Sequence, residues 1–186
     1  MNTSFRIATL ACLALVAGAC ATRPVAPLPT VASVDLQRYA GTWHEIALLP
    51  NRFQSMCATD TTAHYRLDGD VVRVTNRCRK ANGEFEEAKG VAEVVEGSNG
   101  ARLRVSFFRP FYGDYWVLAL DRDYRWVLVG EPARRYAWVL ARDPAMDAAP
   151  LDPILDRAAQ LGFDRNAFER SAKSGKGTGK GTQPFS

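Results

Sequence analysis

The sequence predicts an all-β domain, an eight-stranded up-and-down antiparallel barrel with one C-terminal α-helix packed outside. Three observations carry that prediction. Eight short runs rich in β-branched and aromatic residues follow one another between residues 42 and 141, tight turn signals separate them, and a single helical pattern comes after the last. Parallel strands would need a helical crossover between runs, and none is present. Closing eight antiparallel strands removes every sheet edge and leaves an interior that holds side chains or one small ligand.

The first run, residues 42–49, opens at Gly41-Thr42-Trp43 after a turn-like lead-in. Glycine at position 41 can take backbone angles that other residues resist. Residues 50–56 break the pattern and read as a long loop at a barrel mouth. Alternation resumes from Cys57 through Tyr65, turns at Asp68-Gly69 and returns over 71–75; Asp-Gly between β-rich runs is a strong hairpin signal. Further runs are expected at 84–95, 102–108, 115–121, 125–129 and 136–141. Their punctuation is Asn82-Gly83, Ser98-Asn99-Gly100, Tyr112-Gly113-Asp114, Arg122-Asp123 and Glu131-Pro132. Residues 115–120 are apolar on both faces, so their outer face needs a cover. A helix over 150–161 can provide it, with Asp152 as cap, Pro153 at the first helical position, Ile154, Ala158 and Leu161 on one face and Gly162 past the end. A short turn around 164–168 follows.

Composition places the chain as one globular domain: 186 residues with 47% hydrophobic content exclude a largely disordered protein. The formal charge of +4 sits at the ends, in Arg6, Lys173, Lys176 and Lys180; residues 20–170 balance 20 basic against 20 acidic groups. No basic stripe accompanies a nucleic-acid fold signature, so nucleic acid is not an expected partner.

Residues 1–19 read as a signal peptide: a positively charged start, an apolar run over 7–16 too short to span a bilayer, and small residues Ala17-Gly18-Ala19. Cys20 follows at once, and the segment resembles the lipobox at which bacterial lipoproteins are cleaved and lipidated, with Ala17 where leucine is usual. An ordinary cleaved signal with a coincidental cysteine is the alternative. Ala21 stands where Asp would favour inner-membrane retention, so the resemblance implies lipid anchoring through Cys20 to the outer membrane, facing the periplasm. Residues 20–34, with Pro24, Pro27 and Pro29, read as an extended tether, 35–170 as the barrel domain with its helix, and 171–186 as a disordered Gly/Lys/Ser-rich tail.

Four blocks in order carry a family resemblance: Tyr39-Ala40-Gly41-Thr42-Trp43-His44-Glu45-Ile46-Ala47, the stretch from Val105 to Tyr115 containing Phe107-Phe108-Arg109-Pro110-Phe111-Tyr112, Ala119-Leu120-Asp121-Arg122-Asp123-Tyr124-Arg125, and Trp138-Val139-Leu140-Ala141-Arg142. From about Asp35 to Phe168 the chain resembles the lipocalins, and most closely the bacterial outer-membrane lipoprotein lipocalins and apolipoprotein D. His44 departs from the tyrosine general in close relatives. The resemblance implies that Trp43 closes the barrel floor and that Arg142 stacks across its indole, a structural pair with Gly41.

Cys57 and Cys78 flank one predicted hairpin at the end away from its turn, and an oxidising compartment favours a disulfide between them; a reactive thiol is the alternative. His44 and His64 have no companions at metal-ligand spacing, so neither metal nor cofactor is expected. Asp121-Arg122-Asp123 reads as a charged turn, and no catalytic constellation emerges. Alternation from an inward Trp43 points Glu45 and Ala47 into the cavity, where Glu45 would meet an arginine such as Arg104 or a ligand head group. Aromatic residues concentrate at Phe107, Phe111, Tyr112 and Tyr115, either as a packed hairpin end or as a cavity wall with Arg109 facing an anionic head group.

The expected function is a non-enzymatic carrier of a fatty acid or lysophospholipid near the membrane, the ligand class being implied by the resemblance. The runner-up is an envelope interaction protein with a filled barrel and a homodimer contact on its outer apolar faces. An enzyme acting on a lipid inside the barrel comes third.

Overall fold

The computed structural model describes residues 27–174. The signal segment, Cys20 and residues 175–186 lie outside the described residues. A single turn of helix, α1 (Leu36–Tyr39), is capped by Asp35, whose carboxylate accepts from the backbone of Gln37 and Arg38. The strands are β1 (Gly41–Leu48), β2 (Thr59–Asp68), β3 (Val71–Arg79), β4 (Phe85–Val94), β5 (Arg102–Phe108), β6 (Phe111–Leu120), β7 (Trp126–Gly130) and β8 (Ala137–Ala141), followed by α2 (Ala148–Gln160) and a two-residue β9 (Glu169–Arg170).

Each strand from β2 to β8 pairs antiparallel with the next, and β1 bonds to both β8 and β2, which closes the barrel. The expected eight-stranded architecture with its outer helix is therefore present. Alternating direction sorts the connections. The β1–β2 loop and the turns at residues 80–84, 109–110 and 131–136 form the mouth, while α1, the Asp68-Gly69 turn and the loops 95–101 and 121–125 form the closed end.

The core has two layers because the strands of one wall are buried on both faces. Inside the barrel, Trp43, Tyr65, Val72, Val74, Leu103, Val117, Val127 and Val129 pack together. Outside, Leu118, Leu128 and Val139 meet Leu151, Ile154, Leu155 and Ala158 of α2. Alternation along β7 explains the division: Val127 and Val129 point inward and Leu128 points outward. The outer apolar face, a candidate dimer contact from sequence, is thus covered by the chain's own helix.

Several boundaries differ from expectation. Helix α2 begins at Ala148 with Asp147 as its cap. Fully buried Leu151 draws this extra turn onto the barrel, Pro153 falls inside the helix, and Asp152 pairs with Arg165 at 3.2 Å instead of capping. Tyr112-Gly113-Asp114 is not a turn: the chain reverses at Arg109-Pro110, a cis peptide, and Gly113 pairs with Val105 inside the sheet.

Both ends of the domain extend into segments expected to be free. Leu28 and Val34 are buried, and Val31 donates its N–H to the Val117 carbonyl at 2.9 Å. At the other end β9 pairs with Ala47 and Leu48 where β2 diverges from β1, Ser171 donates to the Ile46 carbonyl, and Asp60 donates to the Ala172 carbonyl. Residues 169–174 therefore fill a seam in the barrel wall beside the mouth.

Candidate functional site

The closed end is sealed by one residue pair. The Arg142 guanidinium lies 3.9 Å from the Trp43 ring centroid and donates to the carbonyls of Thr42, Arg38, Tyr39 and Ala40 at 2.8 to 3.2 Å. The Trp43 indole N–H donates to the Tyr39 carbonyl at 2.8 Å, so the fully buried ring has its one polar atom satisfied.

Above this floor, three phenols meet inside the barrel. Tyr115 Oη lies 2.7 Å from Tyr39 Oη and 3.0 Å from Tyr65 Oη. Burial pushes all three phenols up, Tyr65 to about 12, so they are neutral hydrogen-bonding groups at ordinary pH. Tyr115 was expected at the cavity; Tyr39 and Tyr65 had no local signal, because only register brings the three together. Higher up, Asn76 faces inward between Ala63 and Ala88, and its buried Oδ1 has no hydrogen-bond partner among the described residues. It is a polar point on an otherwise apolar wall.

Glu45 is buried, as alternation from Trp43 predicts. Its partners are not Arg104: Gln54 Nε2 donates to Oε2 at 2.7 Å and Ser171 Oγ to Oε1 at 2.6 Å. Gln54 is held in turn by the Trp138 indole N–H and the Asn51 amide, both at 2.8 Å, so the β1–β2 loop is tied to the cavity wall. Burial pushes the Glu45 carboxyl above its ordinary value, and the bonds from Ser171 and Gln54 offset this in part. Lys173 Nζ donates to the Glu45 carbonyl at 2.7 Å, with its own pKa lowered by burial.

Ala47 is on the other side of the sheet. A β-bulge between Glu45 and Ala47 inserts one residue into β1 and inverts the alternation, so Ala47 packs in the outer layer with α2. Arg104 and Tyr112 also lie outside, both engaging Glu93, at 3.5 and 3.0 Å; Arg109 joins them at 3.5 Å. Register explains the outward set, since Arg104 pairs with Glu93 and Asp114 on the face opposite Leu103 and Tyr115. Phe111 stands at the rim, stacked on Phe108 with 6.2 Å between centroids, and Phe107 lies against Gly90.

The mouth itself is apolar and open. Among the described residues eight large apolar side chains are exposed: Phe53, Met56, Phe85, Phe107, Phe108, Phe111 and Tyr112 sit on mouth connections or on the strand ends beside them, and Val94 is at the closed end. The first five residues of β4 and the first four of β6 are exposed on both faces, and β4 pairs with β5 only from Val91 to Val94. The wall is therefore parted laterally near the rim. Cys57 and Cys78 form the expected disulfide, which ties the β1–β2 loop to β3 with 5.5 Å between Cα atoms. No group of three or more metal-ligating side chains occurs among the described residues.

A family model for the lipocalin-like domain matches residues 34–173. The outer membrane lipoprotein Blc of Vibrio cholerae is 36% identical over 139 residues, covering 73% of this chain and 81% of its own length. The Escherichia coli K12 protein of the same name is 34% identical over 146 residues, covering 78% and 82%. Among solved structures, insecticyanin from the tobacco hornworm Manduca sexta superposes with a TM-score of 0.65 at 25% identity, covering 80% of this chain and 85% of that one. With a floor pair, a closed eight-stranded barrel and a matching family model over the same residues, this chain belongs to the lipocalin-like family.

Proposed function

We propose that this protein binds a hydrophobic acyl-chain ligand, a fatty acid or lysophospholipid, inside the barrel and carries or stores it in the bacterial envelope. The observation that supports this most is the apolar rim: seven large apolar side chains exposed together around one opening, where a soluble surface would scatter them. An acyl chain entering there meets apolar wall and then the neutral tyrosine hydroxyls, while its polar end stays within reach of Asn76 and the Glu45–Gln54 pair.

Two relatives are named as outer membrane lipoproteins, which supports lipidation of Cys20 and an outer-membrane location; the side facing the periplasm is part of the proposal. Anchoring by acyl chains stabilises attachment by about 0.8 kcal/mol per buried methylene and needs no spanning helix. The role is non-enzymatic binding.

The test is native mass spectrometry of the full chain carrying Cys20→Ser, stripped of lipid and offered a panel of fatty acids and lysophospholipids. One-to-one acyl adducts at micromolar ligand are expected. An unchanged bare mass across the panel overturns the reading, and adducts with fatty acids alone exclude the lysophospholipid.

A further inference from the structure

The outer face of β2–β5 holds a second concavity, separate from the barrel interior. It is a groove of about 530 Å³ whose lining carries four cationic side chains, Arg66, Arg73, Lys89 and Arg109; Asp68, Glu87 and Glu93 pair with the last three, in that order, from outside the lining. The register places it outside. Arg66 pairs with Arg73, Arg73 with Val91 and Val91 with Ser106, forming a cross-strand row on the face opposite Tyr65, Val72, Ala92 and Val105. His64, Thr75 and Lys89 form the adjoining row.

Two local costs converge there. Arg66 and Arg73 are like charges directly opposite one another, an arrangement that destabilises a sheet. Asp68 pairs with Arg73 at 2.7 Å and attracts Arg66 at longer range, while Arg66 makes no ion pair or hydrogen bond of its own among the described residues. Two positions along the same row, Ser106 lines the groove and is 3% exposed, and its buried hydroxyl has no hydrogen-bond partner among the described residues. A buried hydroxyl left unsatisfied is destabilising, because it has given up its bond to water without replacing it. An anion in the groove would relieve both, by neutralising the arginine pair and accepting from Ser106. The remaining lining is mixed: His64, Thr75 and Ser106 are polar, and Val74, Val91 and Phe107 supply the apolar surface.

We infer that this groove is a binding site for a phosphate-bearing amphiphile, with the phosphate between Arg66, Arg73 and Lys89 and the neutral part across Val91 and Phe107. Arginine donors in a fork suit phosphate oxygens, and about 530 Å³ exceeds what a bare phosphate fills, leaving room for the group esterified to it. The phosphate can be that of a membrane glycerophospholipid or of a soluble phosphate ester, and the chemistry of recognition is the same. The inference does not require acyl binding inside the barrel, because the cations that carry it lie on the outer face, although Phe107 also stands on the rim.

The test uses the full chain with Cys20→Ser, titrated with glycerol 3-phosphate against glycerol and followed by backbone amide shifts, together with flotation on vesicles of phosphatidylcholine alone or mixed equally with phosphatidylglycerol. Saturable shifts at Ser106, Val91 and Thr75 are expected with glycerol 3-phosphate only. The double variant Arg66→Glu, Lys89→Glu should weaken the observed interaction by about tenfold or more, and Ser106→Ala by about tenfold. Both charged side chains are exposed, so the double variant keeps its fold and its acyl adducts. Recruitment to phosphatidylglycerol vesicles assigns the phosphate to membrane lipid, and shifts without recruitment assign it to a soluble ester; each upholds the site. Unchanged affinity in the double variant, or neither shifts nor recruitment in the parent, overturns it.

Discussion

Arg142 covers the indole of Trp43 at 3.9 Å and donates to four main-chain carbonyls from Arg38 to Thr42. One cation thus closes the barrel floor, holds the end of α1 and links β8 to the start of β1. A cation over tryptophan contributes roughly 0.5 to 2 kcal/mol and hydrogen bonds from a charged donor about 1.5 to 3 kcal/mol. Arg142→Ala should therefore lower unfolding free energy by about 3 kcal/mol in urea titration. Arg142→Lys should recover only part of it, since an ammonium lacks the planar fork.

Gly41 adopts φ +97°, and a Cβ there would come within 3.3 Å of Arg142 Nη1. Gly41→Ala meets both the backbone penalty and the close approach. A loss of about 1 to 2 kcal/mol is expected, measured as a lower thermal midpoint.

The Cys57–Cys78 bridge closes a loop with a sequence separation of 21. Loop-closure entropy for that length corresponds to about 3 kcal/mol. Reduction, or Cys57→Ala with Cys78→Ala, should shift the denaturation midpoint by that amount and loosen the β1–β2 loop, read as faster amide exchange at Gln54.

Asp60 is held at about 2: burial opposes ionisation, but hydrogen bonds from Ser174 and Thr59 and one from Arg79 outweigh it. The folded value lies below the unfolded one, so this carboxylate's contribution is complete above the ordinary Asp value of about 3.9 and is lost as pH falls toward the folded value. Asp60→Asn should destabilise the protein by about 1 kcal/mol at neutral pH, with the difference vanishing near the folded value. Guanidinium titrations of both proteins along a pH series check this.

Glu45 has the opposite sign. Its folded pKa is raised by burial, so its contribution is complete below the unfolded value and is lost as pH rises through the folded one. The wild-type protein should lose stability on going from mildly acidic to neutral pH, and Glu45→Gln should flatten that stretch of the curve. A parallel slope in the variant would show that the carboxyl does not titrate in this range.

How far the site was legible follows from the range of each signal. Glu45 could be placed inside from Trp43, because two residues of regular strand separate them. Ala47 could not, because the bulge that turns it outward is set by pairing with Val139 and Leu140, nearly a hundred residues away. Arg104, Arg109 and Tyr112 look like cavity residues in a row of aromatic and basic letters, yet their shared partner Glu93 holds them on the outer face. Asn76, Tyr39 and Tyr65 carried no local mark at all. Ser171 was expected in a free tail; its hydroxyl reaches Glu45 because the tail fills the seam left where β2 diverges from β1.

By itself the sequence determined the number and order of strands, the helix that covers one wall, the disulfide and the floor pair Trp43–Arg142. The strands and helix rest on residue periodicity and turn chemistry, the disulfide on the place of both cysteines at one hairpin end, and the floor pair on the family resemblance. Tertiary structure alone decided which side chains meet: the three phenols, the strap of residues 169–174, and the four cations that gather from β2, β3, β4 and the β5–β6 turn into one groove although the domain is neutral. The physical reason is register. Pairing between distant backbones assigns every side chain to a face and a row, and a single bulge reverses that assignment without changing a letter of the sequence.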